Sequence, residues 1–243
     1  MNKQYSGTSQ LALTVEVLDN RPDRPVVTIL VDGEKPFAGV ASTWQGFDPD
    51  DLLGAQQPLV PREPAGRRVA VHRCSCGEPG CGVIAPVIVG SPDGRLVSWV
   101  DFSDYVGVFC GPTYDGVVPY DGRPWPLPDL HFDRGQYEAE VARATADRSW
   151  ETPRRKTARL IRERLDLLQL SPDLTLRWVA PGWTDDGIVL AFDGDRLLKL
   201  TSRHQDPDEA AGELLAELLS TPVGEWVRAF GWRPSRLRKR SAP

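Results

Sequence analysis

A chain of 243 residues, 40% apolar and 26% charged, can build one large domain or two modest ones and is not disordered in bulk. The formal charge of −5 is uneven, with 10 Lys/Arg against 16 Asp/Glu in residues 1–132 and 19 against 18 in residues 133–243. This acidic balance argues against a general nucleic-acid coat, and no run approaches the ~18–20 apolar residues of a membrane span.

Residues 1–10 are polar, without the apolar core of a signal peptide, and are expected to be flexible. The expected setting is the cytoplasm, where the four cysteines are structural thiols, metal ligands or reactive groups rather than a disulfide framework. Eight tryptophans are many for this length, and most are expected in the core.

Leu11 to Leu18 alternates apolar and polar residues, and Val26 to Val31 is a denser apolar run after the turn cluster Asn20 to Arg24. The pair predicts a β-hairpin. Asp48 before Pro49 predicts the cap of a short helix. Residues 54–66 hold three prolines and predict a loop.

Three strands are expected over 68–76, 82–89 and 95–102, with Ser91-Pro92-Asp93-Gly94 turning between the last two. Residues 103–132, rich in Gly, Pro, Asp and Tyr, predict a long ordered loop or a linker.

From Asp133 the pattern is helical, with Tyr137, Val141 and Ala144 on one face. Thr152 and Pro153 restart a second helix with the stripe Ala158, Ile161, Leu165 and Leu168. A three-stranded meander follows over 174–180, 187–192 and 196–201, with a turn at Asp193-Gly194.

Asp206-Pro207-Asp208-Glu209 opens a helix whose expected buried stripe is Leu214, Leu215, Leu218 and Leu219. A last short helix, stopped by Gly231, turns Val223, Trp226, Val227 and Phe230 inward. The whole reads as α+β: an antiparallel β-rich domain over 11–132, bridging helices over 133–170, a β-meander with C-terminal helices over 171–232, and a basic flexible tail over 233–243.

The chemistry concentrates in Val71-His72-Arg73-Cys74-Ser75-Cys76-Gly77-Glu78-Pro79-Gly80-Cys81-Gly82. In an extended 68–76, His72, Cys74 and Cys76 share a face with neighbours ~7 Å apart. The Gly/Pro reversal then brings Cys81 near Cys76. Three thiols on a glycine-rich knuckle suit zinc, which takes four N or S ligands in a tetrahedron. The expected set is Cys74, Cys76, Cys81 and Cys110, with His72 or His131 as alternative fourth ligands.

Other readings of the same residues are small packing side chains, a Cys76–Cys81 redox pair, and a Cys74 or Cys76 nucleophile served by His72. Residues 143–164 carry a net +5, and with the tail they could follow a phosphate backbone or form a solvated helix face. Asp101, Asp104, Asp115 and Asp121, with Tyr105, Tyr114, Tyr120 and Trp125, could serve a partner from the long loop or simply pack it.

The run Arg73 to Gly82, followed by Val97-Ser98-Trp99-Val100-Asp101-Phe102, Gln136-Tyr137 and Trp150-Glu151-Thr152-Pro153-Arg154-Arg155, resembles an uncharacterised actinobacterial protein family with a CxCGxxGC β-hairpin. The resemblance spans roughly 10–220. It implies a cytosolic protein and carries no activity or site residue. The expected function is a non-enzymatic interaction or regulatory protein with an unknown protein partner and a structural zinc knuckle. A nucleic-acid-associated protein and a thiol-dependent enzyme or redox sensor are the alternatives.

Overall fold

The computed structural model describes residues 7–38, 44–62, 65–76, 80–114, 116–118, 120–166, 174–182, 187–193 and 196–232. The expected flexible residues 1–6, the stripe residue Leu168, the turn residue Gly194, loop residue Asp115 and the tail 233–243 lie outside them. The fold is α+β with antiparallel sheets, and contacts divide the chain into Met1–Trp150 and Glu151–Pro243, each with its own core. The two helices expected over 133–170 fall on either side of this division.

In the first unit, β1 (Leu11–Leu18) pairs with β2 (Arg21–Val31), Leu11 opposite Val31, and the alternation buries Leu11, Leu13, Val27, Ile29 and Val31. After β3 (Trp44–Gln45), Asp48 caps α1 (Pro49–Leu52) by accepting the Asp50 N–H at 2.9 Å. The seven-stranded sheet also contains β4 (Arg67–Arg68), β5 (His72–Cys74), β6 (Val83–Gly90), β7 (Leu96–Tyr105), β8 (Arg123–Pro124) and β9 (Leu130–Asp133). Its centre is β6 against β7. On one side β5 pairs β6 and β3 pairs β5; on the other, β8 and β9 pair β7.

The single strand expected over 68–76 is broken into β4 and β5. Val69 and Val71 still donate to Pro86 and Ile84, but Pro86 has no N–H to return, and Ala70 donates instead to Pro112 at 2.8 Å. A bulge opposite Pro86 puts Asp101 at φ +52°, and Arg68 Nη1 donates to both Ala85 O and Asp101 O at 2.8 Å.

Parts of the segment 103–132 belong to the sheet: it holds the end of β7, all of β8 and most of β9, with loop between them. Asp133 then caps α2 (Arg134–Ala146), which buries Tyr137, Val141 and Ala144 as the spacing predicts.

In the second unit, Thr152 Oγ1 accepts the Arg155 N–H at the start of α3 (Pro153–Asp166). The strands β10 (Leu176–Pro181), β11 (Ile188–Phe192) and β12 (Arg196–Leu200) form the expected meander. Asp206 caps α4 (Pro207–Ser220) through two N–H bonds of 3.0 Å, and a 3₁₀ turn at Val223–Glu225 leads to α5 (Trp226–Phe230).

Ile161, Leu165, Leu190, Leu198, Leu214, Leu218 and Trp226 build the core. Two expected stripe residues are not in it. Leu219 is 48% exposed and Val227 47%, because Ala210, Ala211, Leu214 and Leu218 already define the inward line of α4 and Trp226 fills the space under α5.

Candidate metal centre

Cys74 ends β5 opposite Trp44, and its N–H donates to Gly82 O at 3.0 Å. That bond closes the ladder, so Cys76 and Cys81 both belong to the loop beyond it. Two glycines permit this reversal. Gly80 holds φ +74°, a left-handed conformation strained for other residues, and a side chain at Gly82 would meet the Trp44 ring at 3.1 Å. Trp44 in turn stacks on Trp125, ring centroids 5.9 Å apart.

The ligand atoms of Cys74, Cys76 and Cys81 lie within 4.8 Å of one another. They are closer than alternate residues of one strand, because β5 stops at Cys74 and Cys76 turns back instead of continuing the row. A tetrahedral zinc with Zn–S near 2.3 Å requires sulfurs about 3.8 Å apart, so the arrangement is within roughly 1 Å of a metal-binding set. Cys74 is half-buried, Cys76 and Cys81 are exposed, and none of the four cysteines is in a disulfide.

Crowding has an electrostatic consequence. Hydrogen bonding with Cys76, then with Cys74, pushes the Cys81 thiol up to about 11. Three neighbouring thiols resist ionising together, and a bound cation reverses that preference. The shift is opposite to the depressed pKa of an activated nucleophile.

No protein family, curated protein or solved structure matches the chain. The chemistry of the centre therefore rests on its geometry.

Cys110 does not join the three thiols. It is exposed, on a loop held to the hairpin from both sides: Gly107 N–H donates to Gly80 O at 2.7 Å, and Ala70 N–H to Pro112 O at 2.8 Å. The histidines are also outside the group. His72 stacks on Phe37 at 4.8 Å between centroids, and His131 Nδ1 lies 2.8 Å from Ser98 Oγ, its cross-strand neighbour.

The neighbours Trp44, Trp125 and Gly107 are absent from the motif as read in sequence. They reach it through pairing across the sheet, for which local spacing carries no signal.

The basic run is largely committed to its own surroundings. Lys156 pairs with Asp208 (2.6 Å), Arg159 with Glu151 (2.7 Å) and Glu163 (2.9 Å), Arg162 with Asp166 (3.7 Å), and Arg148 with Asp50 (2.7 Å). Arg154 donates to Gly187 O, and Arg155 is buried.

The long loop is clamped by Tyr120, whose hydroxyl donates to Val106 O (2.6 Å) and accepts from Val106 N (3.0 Å). It leaves Val106 62% and Val117 91% exposed, with Tyr114 and Tyr120 also exposed. Among the described residues, no helix is long and apolar enough to cross a membrane.

Proposed function

We propose that this chain is a non-enzymatic interaction protein whose docking surface is organised by a zinc ion held on Cys74, Cys76 and Cys81. The observation that carries the reading is the mutual approach of the ligand atoms of the three thiols to within 4.8 Å on one hairpin. Zinc is the cation that suits the donors: it is borderline-soft, redox-inert and accepts sulfur in a tetrahedron.

The ion ties together the two sides of the hairpin, and the Gly107–Gly80 hydrogen bond passes that order to the loop bearing Val106, Tyr114, Val117 and Tyr120. Exposed apolar and aromatic side chains on an ordered loop are the composition of a protein-binding patch. The ion pairs along α3 favour this reading over a nucleic-acid one, since cations engaged by carboxylates are a poor match for phosphate. The placement of His72, stacked on Phe37 and outside the thiol group, favours it over a Cys74 or Cys76 nucleophile served by that histidine.

The test is the metal content of chain purified without an affinity metal, beside Cys74→Ser. One equivalent of zinc is expected in the native protein, and an affinity lower by tenfold or more, roughly, in the variant. Native protein that is metal-free and binds added zinc no better than Cys74→Ser refutes the proposal.

A further inference from the structure

The three thiols are not held alike. Cys74 is half-buried in β5, paired opposite Trp44 and hydrogen-bonded through its N–H to Gly82 O. Cys76 and Cys81 both lie beyond that bond, both are exposed, and their sulfurs stand within 4.8 Å of each other. A disulfide requires about 2.05 Å between sulfurs, an approach open to two exposed loop side chains more readily than to one fixed in the ladder. Of its two thiol neighbours, Cys76 is the one that perturbs Cys81 more. Cys110 stands outside the group, next to Phe109 in the core.

We infer that Cys76 and Cys81 are a site of reversible oxidation, joined in a disulfide by a hydroperoxide, with release of the bound ion. This rests on the metal reading above. The ion holds both sulfurs as thiolates, the species that attacks a peroxide, so no activating base is required. One thiolate attacks a peroxide oxygen: the O–O bond breaks, hydroxide leaves and a sulfenic acid forms. The other thiolate attacks that sulfur: the S–O bond breaks, a second hydroxide leaves and the S–S bond forms. Each sulfur gives up one electron, the peroxide takes two, and two protons from solvent turn the hydroxides into water. The zinc stays divalent and departs because it has lost two of its three sulfurs.

Both sulfurs face solvent, so a molecule the size of hydrogen peroxide reaches them without a binding pocket. The two states differ in what they tie together. The ion links the loop to β5 through Cys74, whereas the disulfide links the loop only to itself.

The experiment treats the zinc-loaded full chain with one equivalent of hydrogen peroxide and follows released zinc with a chromogenic chelator. Thiols are labelled with iodoacetamide before reduction and with N-ethylmaleimide after it, and fragmentation mass spectrometry assigns each label to a cysteine. The expected result is one zinc released per peroxide consumed, with the second label on Cys76 and Cys81 and the first on Cys74 and Cys110. Dithiothreitol is expected to restore binding of one zinc. The variant Cys74→Ser, which removes the thiol that the reaction leaves unused, is expected to form the same disulfide.

Zinc that is retained, or released with the second label absent or on Cys74 or Cys110, overturns the inference and leaves the metal reading intact. Chains cross-linked to one another through these sulfurs, or a Cys74→Ser protein that forms no disulfide, overturn it in the same way. A native chain that binds no zinc overturns both.

Discussion

Tyr137 joins three parts of the first unit through one hydroxyl. It donates to Leu59 O at 2.7 Å and accepts the Trp99 Nε1 proton at 3.1 Å, while its ring meets Trp99 edge-on and tilts against Phe132. Complete burial pushes its ionisation well above the ordinary tyrosine range, so it stays a neutral donor at any physiological pH. Tyr137→Phe keeps the ring but leaves a buried carbonyl and a buried indole N–H without partners. A loss of about 1–3 kcal/mol is expected. It should appear as a lower urea midpoint with an unchanged slope; an unmoved midpoint would show that the two groups find other partners. The burial of Tyr137 is readable from its spacing with Val141 and Ala144. Its partner Leu59, 78 residues away, is not.

At the scale of elements, the open edge of β1 is covered by side chains of α2. Gln136 accepts from Leu11 N (3.1 Å) and donates to Leu11 O (2.6 Å), Glu140 accepts from Leu13 N (2.6 Å), and Arg143 donates to Leu13 O (2.5 Å). Residues at i, i+4 and i+7 of a helix thus stand where a neighbouring strand would, which also protects the edge from pairing with another chain.

The Arg143 guanidinium, and then the Leu13 N–H, hold the Glu140 carboxyl below the usual range. Its folded pKa lies below its unfolded one, so its contribution is present above the unfolded value and is lost as pH falls through the folded value. Glu140→Gln is expected to cost about 1–2 kcal/mol near neutral pH, where charge-assisted bonds are lost. The native protein should lose more stability than the variant as pH falls from about 5 to about 2, through the depressed folded value. Parallel stability–pH curves for the two proteins would exclude this role. The helix itself is legible in the sequence. That its polar face serves a strand is not, because Gln, Glu and Arg on a helix usually mark a solvated side.

At the scale of the molecule, the division at Trp150/Glu151 separates two cores with no shared residues. Each is of a size that folds alone. Fragments 1–150 and 151–232 are expected to unfold cooperatively when expressed separately, with Ile161→Ala costing about 2–5 kcal/mol in the second fragment. A fragment that lacks a cooperative transition by circular dichroism would show that the units depend on each other.

Local chemistry decided a great deal from the sequence alone. The caps at Asp48, Thr152 and Asp206 start their helices because a side-chain oxygen answers an N–H two or three residues on. The meander follows from short apolar runs, and the convergence of Cys74, Cys76 and Cys81 from a glycine-lined reversal between them. Tertiary structure decided whatever depends on partners distant in the chain. It broke 68–76 at Pro86, drew the loop 103–132 into the sheet, pinned Cys110 away from the other thiols, and turned Leu219 and Val227 outward. The reason is physical: a cap or a turn is satisfied within a few residues, whereas a sheet edge or a buried hydroxyl is completed only by groups that folding brings from elsewhere.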